Sequence, residues 1–168
     1  DDLIAKDPKS AEILKPILRG RDIQKYYADY QDLWLIYIPW HFPLHEDNSI
    51  EGVSEKADIE FKKRYPAVYN HLEQHKENLL HRNKAETNIR YEWYAMQRFA
   101  SNYWQDFEKP KVVWKRIGSI LRFCYDEKGY FCLDSTCIAT GAKMKYLCAV
   151  LNSKLCSMEL FRNSPKTG

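Results

Sequence analysis

Three stretches of this chain hold residues whose types and spacing could do chemistry, and in each the chemistry is that of binding a polyanion. Between positions 109 and 122 stand Lys109, Lys111, Lys115, Arg116 and Arg122 with no acidic residue among them. Cations concentrated in this way neutralise phosphates. A second stretch runs Trp93-Tyr94-Ala95-Met96-Gln97-Arg98. Its rings could stack or pack on sugars beside a glutamine and an arginine, the side chains suited to bidentate readout of adenine and guanine. The third is Arg19-Gly20-Arg21, followed by Tyr26, where the glycine admits close backbone approach and the two guanidinium forks suit oxygens. Each also has a plain reading: Trp93 and Met96 as core, Arg98 as a structural arginine, Arg21 and Asp22 as a solvated turn.

Other candidates are weaker. Asp58-x-Glu60-x-Lys62 echoes the Glu-x-Lys of metal-dependent nucleases but lies in a run with helical spacing, without a strand to present it. His41 and His45 are four apart, yet Pro43 between them forbids a regular helix that would aim both at a metal. Cys124, Cys132, Cys137, Cys148 and Cys156 form no Cys-x-x-Cys pair and are odd in number, so they read as small buried apolar residues of a reducing cytoplasm. There is no Gly-rich phosphate loop, no His-Glu-x-x-His and no Gly-x-Ser-x-Gly.

Of the 168 residues 45% are hydrophobic and 29% charged, which is ordinary for a globular protein with a real core. No apolar run approaches the roughly 18 residues of a membrane span, and no signal peptide is visible, so no membrane partner is expected. A net charge of +3 is too small to argue a partner by itself. Its distribution says more, because six acids against Lys56 fill positions 46–60 while 109–122 is purely basic.

The elements that must position these residues follow from periodicity. Residues 111–139 alternate β-branched and aromatic side chains, broken by Gly118-Ser119 and Asp126-Glu127-Lys128-Gly129, the pattern of an antiparallel meander. Residues 11–18 could begin a short helix limited by Pro16, 32–38 reads as a buried strand ended by Pro39, and 40–52 as a long loop. Residues 54–82 are helical with a break at Tyr65-Pro66 and an apolar stripe of Val68, Leu72, Leu79 and Leu80. Met144, Leu147, Cys148, Leu151, Leu155 and Met158 predict a final amphipathic helix, broken near Asn152-Ser153. The expected fold is therefore α+β, a small antiparallel sheet of about residues 111–139 plus strand 32–38 packed against helices at about 55–82 and 142–160. Residues 1–13 read as a linker or frayed arm and 14–168 as one domain. With no initiator Met, the chain is read as a piece of a longer polypeptide.

Six motifs in order carry a resemblance. Leu18-Arg19-Gly20-Arg21-Asp22-Ile23 with Tyr26, Trp34-Leu35-Ile36-Tyr37-Ile38, Tyr65-Pro66-Ala67-Val68 leading into 72–82, Trp93-Tyr94-Ala95-Met96-Gln97-Arg98, Lys109-Pro110-Lys111-Val112-Val113 and Tyr146-Leu147-Cys148-Ala149-Val150-Leu151-Asn152-Ser153 together resemble the TaqI-like C-terminal specificity domain. The resemblance implies a target-recognition domain of bacterial adenine-N6 DNA methyltransferases and single-chain restriction-modification enzymes. It implies double-stranded DNA as partner, clamped against an upstream methyltransferase domain of the same polypeptide. S-adenosylmethionine, and Mg if a nuclease is present, would belong to that parent enzyme, since the Asn-Pro-Pro-Tyr motif of the family's methyltransferase domain does not occur in this sequence. The expected DNA contacts are Arg19, Arg21, Tyr26, Trp93, Tyr94, Gln97, Arg98, Lys111, Lys115, Arg116 and Arg122, with no catalytic residue in the chain. The competing readings are a metal-dependent nuclease using Asp58, Glu60 and Lys62, and a protein-interaction domain.

Overall fold

A computed structural model describes residues 2–82, 89–98, 102–118 and 120–163, except for the side chains of Phe161 and Asn163. In chain order the elements are α1 (Asp2–Lys6), β1 (Leu14–Leu18), β2 (Trp34–Ile36), α2 (Glu55–Arg64), α3 (Pro66–Glu73), α4 (Lys76–His81), β3 (Lys111–Lys115), β4 (Phe123–Asp126), β5 (Phe131–Cys132), β6 (Thr136–Thr140), α5 (Met144–Asn152) and α6 (Lys154–Asn163), with 3-10 turns at Pro8–Glu12, Gly20–Asp22 and Trp104–Phe107. The fold is α+β. The chain divides into two compact units, Asp1–Lys15 with Ile36–Ser101 and Pro16–Leu35 with Asn102–Gly168. Among the described residues no helix is long and apolar enough to cross a membrane.

The first unit is helical around an aromatic core. The Ser54 hydroxyl accepts the Ala57 N–H at 3.2 Å and starts α2. Pro66 then stands at the first turn of α3, where its missing N–H costs nothing. Phe61, Val68, Tyr69 and Leu72 pack with Ile13, Ile38, Phe42, Tyr65, Tyr91 and Tyr94. Leu79 joins this cluster at its margin, whereas Leu80, expected in the same stripe, is exposed. Residues 1–13, read as an arm, carry α1 and a 3-10 turn whose Asp7 side chain accepts from Lys9, with Ser10 and Ile13 buried.

In the second unit β3 is the middle strand of an antiparallel sheet in the order β4-β3-β6. Lys111 pairs with Asp126 and Trp114 with Phe123 on one side, and Val113 pairs with Ile138 on the other. Successive side chains of a strand point to opposite faces. Val112 accordingly packs with Phe123, Cys148 and the α5 leucines, and Val113 with Leu18, Ile23, Cys124 and Tyr130. Burial on both faces explains why this run is almost continuously apolar.

Three local expectations change. Strand 32–38 shortens to β2 and joins not this sheet but a second one, β2-β1-β5, in which β1 and β5 run parallel with Ile17 opposite Phe131. The chain leaves the meander because the Asp126 carboxylate accepts the N–H groups of Lys128 and Tyr130, turning it after β4. Residues 14–18 form strand, not helix, with Ile17 N–H donating to Leu33 O at 2.9 Å. The break expected near Asn152-Ser153 falls at Ser153, whose extended backbone separates α5 from α6.

Candidate nucleic-acid interface

The second unit carries a basic concavity of about 280 Å³ lined by Gly20, Arg21, Ile23, Lys115, Gly118, Ile120 and Arg122. It lies where β4 leaves β3, while β3 itself stays paired with β6 through Lys115 and Thr136. The last β3–β4 pair is Trp114 with Phe123, and the next residues out on each side, Lys115 and Arg122, both line the concavity. Like charges in that relation cost stability, and among the described residues no salt bridge takes up Arg21, Lys115, Arg116 or Arg122.

Lys115 is seated by glycines. A Cβ on Gly20 would lie 3.0 Å from Lys115 Cγ and 3.2 Å from Ser135 O, and one on Gly118 would lie 3.4 Å from Lys115 Cδ. Gly20 N–H also donates to Ser135 Oγ at 3.3 Å, and Ser135 O accepts the Arg116 N–H at 2.9 Å. The 3-10 turn at Gly20–Asp22 is locked from within. Asp22 accepts from Arg19 N–H at 2.8 Å and takes the Arg19 side chain through Nε at 3.0 Å and Nη2 at 2.9 Å. Burial opposes ionisation of Asp22, but these Arg19 contacts outweigh it and hold the carboxyl below its usual range.

The following loop is fastened to β4. Tyr26 has φ 74° and donates its N–H to Phe123 O at 2.8 Å. From another element, the buried Asn152 side chain pairs with both backbone groups of the same residue, accepting Phe123 N–H at 3.2 Å and donating to Phe123 O at 2.7 Å. The backbone next to Arg122 is therefore fixed by two separate elements. Arg122 itself is half-buried and donates from Nη1 to Gln24 Oε1 at 2.8 Å.

Of the expected contacts, the fold brings Arg21, Lys115 and Arg122 together at this concavity, with Arg116 exposed next to Lys115 and Tyr26 exposed in the fastened loop. Arg19 is committed to Asp22. Lys111 has to be removed from the phosphate set: it is wholly buried, and its ammonium donates to the Asp126 carboxylate and to Phe107 O. The position directly across the strand pair is that aspartate, so the lysine is drawn inward as half of a buried pair. Tyr94 must also be withdrawn as a DNA contact. It is 3% exposed in the first unit's core, and its hydroxyl donates to Phe42 O at 2.9 Å. Trp93 is half-buried there, donating Nε1–H to Asp58 at 3.0 Å and meeting Tyr69 edge-on. Gln97 is half-buried and Arg98 exposed, both in the first unit. Gln24, Gly118, Ser135 and Asn152 are positioning residues that the sequence reading missed as such. Of these only Asn152 stood in a motif that could have flagged it.

The triad of the nuclease reading is occupied structurally. Asp58 accepts from Tyr69 and Trp93, Glu60 pairs with Arg64 at 2.8 Å, and Lys62 sits over the Tyr69 ring. Among the described residues no group of three His, Cys, Asp or Glu could hold a metal ion. His41 instead meets Glu92 at 3.0 Å, and His45 stacks on Phe42. The first unit's concavity of about 590 Å³, lined by Trp40, His41, Ile50, Glu51, Gly52 and Arg90, mixes both signs of charge.

The family model of the TaqI-like C-terminal specificity domain matches residues 15–167. No curated protein matches the chain. The chain thus belongs to the TaqI-like C-terminal specificity domain family, whose members supply DNA target recognition in restriction-modification enzymes.

Proposed function

Taking that family as premise, we propose that this chain is the sequence-reading part of an adenine-N6 DNA methyltransferase or single-chain restriction-modification enzyme of the bacterial cytoplasm, and that it has no catalytic role by itself. The observation that carries the reading is the concavity whose lining, among the described residues, holds Arg21, Lys115 and Arg122 and no acid. A duplex phosphate laid against Lys115 relieves this crowding of cations and releases counterions. Arg21 and Arg116 extend the footprint, and the exposed Tyr26 supplies a ring with a wet edge.

Among the described residues the lining of the concavity holds no carboxylate to take a ribose hydroxyl, so those residues do not fit S-adenosylmethionine. The methyl donor, and a flipped adenine with it, fall to a methyltransferase domain of the same polypeptide. The work of this chain is to orient the duplex. Cations fix its position through phosphates, and groups held at the groove sort one sequence from another.

The test is to titrate a labelled duplex with the protein while salt is raised. Binding should fall roughly 10- to 100-fold between about 50 and 200 mM. Salt-insensitive attachment to a protein, with no affinity for duplex DNA, would favour the protein-interaction reading instead.

A further inference from the structure

One arginine of the basic concavity differs from its neighbours in being held before any ligand arrives. Arg21 and Arg116 are exposed. Arg19 is held, but its bidentate Nε–Nη2 edge is spent on Asp22. Arg122 is half-buried, and Gln24 Oε1 accepts from its Nη1 at 2.8 Å. A guanidinium has five N–H donors, so this bond orients the group and leaves most of the fork unspent.

Gln24 is in turn held by its loop. Its own N–H donates to Tyr27 O at 3.0 Å, Ile23 and Ala28 are bridged around it, and Tyr26 ties the loop to the residue after Arg122. Asn152 fastens that same residue from α5. The pair is thus supported from two elements, as a group that must present a fixed plane needs to be.

Phosphate contact and base readout make different demands. A point charge on a flexible stem serves a phosphate, and Lys115 between its two glycines is such a charge. Bidentate readout of a base edge needs a planar fork whose orientation is set in advance, because ordering it at binding would consume the affinity gained. The pairing that suits such a fork is with O6 and N7 of guanine.

We infer that Arg122, oriented by Gln24, is a specificity-determining residue that reads a guanine in the major groove, while Lys115, Arg21 and Arg116 anchor phosphates. This rests on the reading of the concavity as a DNA contact. It places at Arg122 the guanine readout that the sequence suggests for Arg98, with Gln24 as its positioning residue.

The experiment selects bound duplexes from a randomised DNA pool with the intact protein, and repeats the selection with Arg122→Lys, Gln24→Leu and Lys115→Ala. Arg122→Lys keeps the charge but loses the fork. It should erase a G·C preference at one position and weaken the preferred duplex roughly 5- to 150-fold, with non-preferred DNA nearly unchanged. Gln24→Leu should blur the same position. Lys115→Ala should keep the whole preference at lower affinity. Thermal melting run beside each selection confirms that every variant is folded. If Arg122→Lys and Gln24→Leu, both folded, keep every preference of the wild type, the assignment to Arg122 falls while DNA recognition stands. A wild type that enriches no sequence overturns the DNA reading, and this inference with it.

Discussion

Residues 91–98 and residues 109–122 look alike on paper, each an apolar run with Trp beside arginine or lysine, and the fold uses them in opposite ways. In the first unit the aromatics face inward. Tyr94 donates to Phe42 O, Trp93 to Asp58, and the Tyr69 hydroxyl to Asp58 as well, so the polar edge of each ring is satisfied inside the chain. In the second unit Lys115 and Arg116 at the strand end remain exposed, and no salt bridge takes them up among the described residues. Composition cannot separate these cases, since Tyr and Trp suit a wet interface and a satisfied core equally. What separates them is an internal acceptor. Asp58, set on α2, supplies one, whereas among the described residues no salt bridge takes up Lys115 or Arg116.

The sharpest form of the contrast lies within β3, where Lys111 and Lys115 share a face of one strand. Lys111 meets Asp126 across the pair and is wholly buried; Lys115 lies beyond Phe123, the first residue of β4, and is exposed. Lys111→Ala would leave the Asp126 carboxylate buried and without its cation, at a cost of about 3–5 kcal/mol. Urea unfolding should show that loss, with the DNA affinity of the remaining folded protein unchanged. A variant of near wild-type stability that binds DNA with a reduced salt slope would return Lys111 to the phosphate set and break the contrast.

Alkaline pH tests the first unit through its buried tyrosines. Burial, with the Glu12 carboxylate adding to it, pushes the Tyr65 hydroxyl from 10.0 up to about 12; burial and Asp58 do the same to Tyr69, also to about 12. A raised pKa means that the unfolded chain releases these protons first, so the folded state binds more protons between the two values. Stability from these groups is complete below pH 10 and is lost as pH rises from 10.0 through about 12. Urea midpoints measured across that window, beside tyrosinate absorbance, should fall before the absorbance of the folded protein finishes rising. Tyr65→Phe should lessen the fall. A flat stability profile would mean that these hydroxyls are not held as the core geometry requires.

What could be read from the sequence was local. Alternation placed β3, the Ser153 break divided the last helix, and Pro66 marked the start of α3, because each depends on neighbours along the chain. The sheet order was not readable. Pairing of Phe131 with Ile17 is decided by residues more than a hundred positions apart, and a two-residue strand carries no periodicity of its own. The site divides in the same way. The cations of 109–122 were visible as a run, but that Lys111 turns inward depends on Asp126 standing opposite it, a matter of register. Gln24 had no signal at all, since its role exists only through Arg122, 98 positions away.

The smallest effect on stability is expected where the cations are left free, and it closes the comparison from the other side. Lys115→Ala and Arg116→Ala remove exposed charges that no salt bridge takes up among the described residues, so each should change stability by no more than about 0.5 kcal/mol. For Lys115 the sign is informative. Removing it relieves the repulsion from Arg122 across the strand end, so the melting temperature should hold or rise slightly while DNA binding weakens. Each substitution should also flatten the plot of log affinity against log salt by about 0.9, the signature of one lost phosphate contact, and should do so equally on every duplex. Gly20→Ala offers the same test by another route, because its Cβ would force the Lys115 stem aside with the charge intact. Stability lost with an unchanged salt slope would mean that Lys115 serves the fold as Lys111 does, and the two ends of β3 would no longer differ.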